Sequence, residues 1–213
     1  MGAFTQRPSA YTPPLDGSEP SPTLVAGGSD PTPAPDSDKW RIELRRHPIL
    51  HRGHAVLALV RPDGKTVDEL NGMAQSRTTN EIVPLGIDGM RLVVTDTPQF
   101  PKAQPIGVLA AGSYDDIVKS RWARGVAAAR QITAKDYDYK GHDPAYEFGG
   151  SGGEIQNSNS VAYTLGQAMG LDADAALRRS GTERRFSGWG RNLLDPDYRP
   201  YVAPPQFAVT DTP

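Results

Sequence analysis

"GHAVLALVRPDGKTVDELNG", residues 53–72, is the stretch whose reading decides the fold. The apolar run Ala55–Val60 meets Pro62–Asp63–Gly64 and a second run follows. Asp-Gly between two such runs signals a β-hairpin, because the glycine accepts the positive φ that a tight reversal needs. Working outward, Trp40, Ile42 and Leu44 alternate with Arg41, Glu43 and Arg45, which predicts a half-buried strand at the start of the folded part. "MRLVVTD" (90–96) and "PIGVLAAG" (105–112) predict two more strands.

The period then changes. In residues 113–132, Tyr114, Val118, Trp122, Val126 and Ala129 recur at helical spacing, with Ser113 as the expected N-cap. A second helix is expected from about Ser158 to Met169, stopped by Gly170, and a short third one over about 172–180, beginning at Asp172. Strands first and helices after predict an α+β domain: an antiparallel sheet packed against two or three helices.

The ends differ in composition. Of residues 1–38, 21 are Pro, Gly, Ser or Thr, so this segment buries too little apolar surface to offset its chain entropy. It is expected to be a disordered or partner-bound tail, 39–195 the domain, and 196–213 a Pro-rich C-terminal tail. A protein partner could order residues 1–38.

Among the 213 residues, 23 are basic and 25 acidic, with no long basic run, so a nucleic-acid partner is not expected. The absence of cysteine excludes disulfides, thiolate zinc sites and a cysteine nucleophile. No apolar run approaches the roughly 18 residues of a transmembrane helix. The N-terminus lacks a secretory h-region, so the chain is expected to be cytoplasmic or exported by a specialised system.

Two positions carry the candidate chemistry. His54 stands at the start of the most apolar strand, after Gly53; it suits either a general base or a hydrogen-bonded structural histidine. Ser158, in "QNSNSVAYTL" (156–165), stands at a helix start, where free N–H groups and the helix dipole stabilise an oxyanion. Asn and Ser are also the favoured N-cap residues, so Asn157–Ser158 reads equally as an ordinary cap. His47, His51 and His54 have helical spacing, but Pro48 and Gly53 interrupt any helix there, and no metal site is expected. No cofactor is called for either. Trp189, between two glycines in "SGWGRNLL" (187–194), is expected either to line a substrate groove or to anchor the tail onto the core.

Taken together, "GHAVLALV", a hairpin and a distant "QNSNSVAYTL" helix resemble the circularly permuted papain-like proteins, the NlpC-type peptidases and the lecithin:retinol acyltransferase group. The resemblance spans roughly residues 53–170. It implies that His54 is the base, that Ser158 occupies the position of a nucleophilic cysteine, and that Asn157 matches the Asn preceding it. The third polar group would come from the next strand, as Glu69 or Asn71. The implied activity is a hydrolase or acyl transfer on an amide or ester, in a setting such as an exported bacterial effector or a cell-wall amidase. The serine departs from the pattern. It leaves open a silenced cysteine enzyme, a natural serine variant and a non-catalytic binding or structural subunit.

Overall fold

In the computed structural model the described residues are 38–49, 52–83, 89–142, 154–183 and 186–202. The expectations for residues 1–37, for His51 and for 203–213 fall outside them. The order is β1 (Trp40–Ile49), β2 (Arg52–Val60), β3 (Thr66–Gln75), β4 (Ile82–Val83), β5 (Arg91–Thr95) and β6 (Gln104–Gly112), followed by α1 (Lys119–Ala134), α2 (Ser158–Met169) and α3 (Ala173–Ser180). All strand pairs are antiparallel. The fold is therefore the expected α+β arrangement.

The hairpin is the middle of the sheet. Gly64, with φ of +81°, closes the β2–β3 turn, and its N–H donates to Arg61 O at 2.9 Å. β1 pairs with β2 on one side and β6 on the other. β2 and β3 pair from Val60–Thr66 only as far as Leu57–Leu70. Beyond that point β3 parts from β2 and pairs instead with β5, from Asn71–Thr95 to Gln75–Arg91, and with β4. A gap opens between the start of β2 and the second half of β3, and the candidate site is built around it.

Strand alternation sorts the sheet into two faces. Ile42, Leu44, Ala55, Leu57, Leu59 and Leu70 join Trp122, Ile132, Val161, Leu165 and Leu177 in one core under the helices. The other face carries Arg41, Glu43, Val56, Ala58 and Val60, all buried as well. β1 is thus not the half-buried strand that its alternation predicts. Its charged residues are enclosed and neutralise one another: Glu43 takes Arg41 Nε at 3.1 Å and Arg45 Nη2 at 2.7 Å. Alternation distinguishes faces, but an arginine–glutamate–arginine row reads as solvent-facing whether or not something covers it.

The first helix also begins differently. Residues Tyr114–Val118 form one π-helical turn, in which Lys119 N–H reaches Tyr114 O, and Ser113 makes no capping bond through its side chain. The wider turn still brings Tyr114 against Trp40, with ring centroids 4.4 Å apart, while Val118, Trp122, Ala129 and Ile132 are buried as the spacing requires. α2 ends at Gly170 with φ of +67°, and α3 is capped by Asp172, whose carboxylate accepts from Ala175 N–H at 2.8 Å.

Candidate functional site

The N-terminus of α2 enters the gap between β2 and β3. Strand N–H groups lie in the plane of a sheet, and Ala55 N–H, which faces the gap, is taken by the Asn159 side-chain oxygen at 2.9 Å. A helix side chain therefore stands where a neighbouring strand would. On the opposite bank Gly72 lies against the helix backbone, and a Cβ there would fall 2.9 Å from Ser158 Cα. Only a glycine permits that approach.

The helix start is held by residues on both sides. Asn157 is the N-cap: its side-chain oxygen accepts from Asn159 N–H at 2.9 Å and Ser160 N–H at 3.4 Å. Its amide donates to Ser187 O at 3.2 Å. The preceding Gln156 is fully buried, and its side-chain oxygen receives Tyr198 Oη at 2.7 Å and Tyr201 N–H at 3.0 Å. The first residues of the expected C-terminal tail are thereby pinned beside the site.

Ser158 is consequently not the cap. It is the first helical residue, 3% exposed, and neither its hydroxyl nor its N–H makes a hydrogen bond to a described residue. Asn157→Ala is expected to cost about 1–2 kcal/mol, the upper part of the usual capping range, because its bonds are buried. Ser158→Ala should change stability by only a few tenths of that. Urea unfolding of the two variants measures both, and equal losses would return the capping role to Ser158.

His54 is 5% exposed. Its Nε2 is hydrogen-bonded to the Asn71 side-chain oxygen across the gap. Asn71 itself is fully buried, and its amide nitrogen has no partner. Glu69, the other residue expected to orient the histidine, makes no hydrogen bond to it. Its carboxylate instead accepts the N–H groups of Gln99 at 2.8 Å and Phe100 at 3.3 Å. The Phe100 ring lies over both His54 and His47, with centroid separations of 4.8 and 4.4 Å. His47 and His54 face each other across the β1–β2 register. In the sequence, His47 is weighed only as a metal ligand and Phe100 is not singled out. The hairpin register would have paired the two histidines, but the phenylalanine follows from a loop path that carries no sequence signal.

Burial holds the His54 ring down to a pKa of about 4; the Asn71 bond opposes this and the neighbouring His47 adds to it. The neutral ring is therefore the resident form. With Nε2 donating to Asn71, Nδ1 keeps its lone pair. Nδ1 makes no hydrogen bond to a described residue, and none joins His54 to Ser158. The unfolded histidine protonates near pH 6.5 but the folded one only near 4. As pH falls through that window the unfolded state binds the extra proton and stability drops, by about 3 kcal/mol in all. Urea midpoints at pH 7, 5 and 4 should show this loss, flattening below about 4, and His54→Gln should remove most of it. An unchanged slope in that variant would assign the loss to other groups.

Trp189 packs edge-on to Tyr163 and Phe186, and its Nε1 donates to Asp174 on α3. These contacts anchor residues 187–194 to the helical core and leave the groove-lining role without support. Among the described residues no group of three or more His, Asp or Glu side chains could hold a metal, and no helix is long and apolar enough to cross a membrane.

No protein-family model matches the chain, and neither the curated proteins nor the solved structures contain a significant match to it.

Proposed function

We propose that the domain is a papain-like hydrolase or acyl-transfer enzyme acting on an amide or ester, with His54 as base, Asn71 as its orienting group and Ser158 at the nucleophile position. The observation that carries this reading is the buried His54–Asn71 bond at a gap occupied by the N-terminus of a helix. Such a bond fixes the ring orientation and tautomer, which is what a third group does for a catalytic histidine. The Ser158 hydroxyl would pass its proton to His54 Nδ1 as its oxygen attacks the substrate carbonyl carbon. The oxyanion would form beside Ser158 N–H. The Asn157 cap engages the N–H groups of Asn159 and Ser160 and does not take that amide. Collapse of the tetrahedral species expels the amine or alcohol, which takes the proton back from His54, and water or an acceptor then releases the acyl group.

A second reading, a non-catalytic binding or structural subunit that contacts neighbouring chains through its ends, is favoured by the closure of the site. Ser158 and His54 are 3% and 5% exposed, and no hydrogen bond links them. The pH profile of thiol alkylation in the Ser158→Cys protein separates the two. A midpoint well below the free-thiol value of about 8.5 supports the enzyme; a midpoint at or above it supports the subunit.

A further inference from the structure

We propose that Glu69 is a positioning residue: its buried carboxylate latches the connection between β5 and β6 so that Phe100 roofs the His54 ring and the His54–Asn71 bond. The proposal takes its functional meaning from the reading of His54 as the base, but it rests on contacts of its own.

Glu69 is 1% exposed. No ion pair to it is formed by the described residues; two consecutive backbone N–H groups satisfy it instead. A buried carboxylate without a cation is costly to keep. Charge-assisted bonds to backbone amides offset that cost, and these two belong to the residue that covers His54 and to the one before it.

Topology leaves the connection little freedom. β5 lies beside β3 while β6 lies beside β1, so residues 96–103 cross the sheet over β3, β2 and β1. Four strand spacings are about 19 Å, and eight residues reach roughly 26 Å at full extension. The segment must therefore run close to the face on which His54 and Asn71 stand. Residues 96–99 and 101–102 are exposed. Within the crossing, Phe100 packs downward on the two imidazoles and Phe100 O accepts from Ala103 N–H at 2.8 Å. Without the Glu69 bonds, no other hydrogen bond from the sheet face to residues 96–102 is formed among the described residues. The roof keeps water from the imidazole, which lowers the local dielectric around the His54–Asn71 bond and holds the ring neutral.

The charged and titratable groups on the elements packed around His54 are Arg41, Glu43, Arg45, Arg46 and His47 on β1, Asp68 and Glu69 on β3, and Asp96 and Lys102 near the ends of the crossing, with Glu43 engaged by Arg41 and Arg45. This gives the test a sign. The low His54 midpoint comes first from burial, opposed by the Asn71 bond and assisted by His47. Losing the roof admits water and raises it. His54 titration is followed by NMR, through the ring carbon-bound proton, in the full chain carrying Glu69→Ala, Glu69→Gln or Phe100→Ala. Glu69→Ala and Phe100→Ala should each raise the His54 midpoint by about one pH unit or more toward 6.5. Glu69→Gln keeps an acceptor for both amides and should leave the midpoint low. In Glu69→Ala the Gln99 and Phe100 amides should also exchange about tenfold faster or more. A midpoint that stays or falls in Glu69→Ala, or unchanged amide protection, overturns the latch. Should Glu69→Ala not fold, an unchanged midpoint in Phe100→Ala overturns the roof on its own. None of these readouts depends on Ser158, so failure of the latch is distinguishable from failure of the enzyme reading.

Discussion

Cysteine placed at position 158 should titrate well below the free-thiol pKa of about 8.5 and be fully alkylated by iodoacetamide at neutral pH. Two features of the site act in the same direction. The first turn of α2 brings the positive end of a helix dipole and an unengaged Ser158 N–H to the sulfur position. In the proposed enzyme His54, whose Nδ1 makes no hydrogen bond to a described residue, would form a thiolate–imidazolium pair with that sulfur in place of two neutral groups. Burial opposes both, and with Ser158 at 3% exposure it is not a small effect. Limited access scales the whole rate profile without moving its midpoint, so the midpoint is the quantity to read. The chain contains no other cysteine, and the label has one source. Adding His54→Ala to the Ser158→Cys protein should return the midpoint by about one unit or more toward 8.5. If the midpoint is near 8.5 with His54 present, the site does not activate a nucleophile and the binding or structural reading stands.

Much of this arrangement was legible in the sequence because it rests on local rules. The Asp63–Gly64 hairpin, the alternating start of β1, the spacing from Tyr114 to Ala129 and the Gly170 stop each depend on neighbours within a few residues. Asn157 and Ser158 were legible as a pair, but their division of labour was not. Which of two adjacent polar residues caps a helix depends on where the first helical turn closes, and Asn157 accepts both amides here. The choice of Asn71 over Glu69 was equally out of reach. Both lie on the same face of β3, and what separates them is the 96–103 crossing, which draws Glu69 away through backbone N–H groups. The enclosure of Arg41 and Glu43, with half-buried Arg45 beside them, was hidden for the same kind of reason. That enclosure is a tertiary fact, while the composition of the row describes a solvated strand. What the sequence withheld was therefore the contact between segments far apart in the chain, and the site is made of such contacts.

Gly72→Ala should be among the most damaging single-methyl changes in the domain, costing about 3 kcal/mol, the upper part of the overpacking range. The added Cβ would stand 2.7 Å from Val161 Cγ2, 2.8 Å from Val161 Cβ and 2.9 Å from Ser158 Cα. Two of these atoms are close to or part of the helix backbone, so relief requires moving the first turn of α2 out of the gap. That movement would pull Asn159 from Ala55 N–H. Gly125→Ala provides the contrast. Its nearest contact is shorter still, 1.9 Å to Met169 Cε, but that atom ends a flexible side chain that can rotate away, and alanine gains helix propensity over glycine within α1. Urea unfolding should rank Gly72→Ala well below Gly125→Ala in stability, the reverse of the order of the contact distances. In the Ser158→Cys background, Gly72→Ala should also raise the thiol midpoint toward 8.5, because the helix terminus and His54 no longer share the gap. A Gly72→Ala protein with wild-type stability and an unshifted thiol would mean that β3 does not fix the helix start. The close approach at Gly72 would then be a consequence of the site rather than its support.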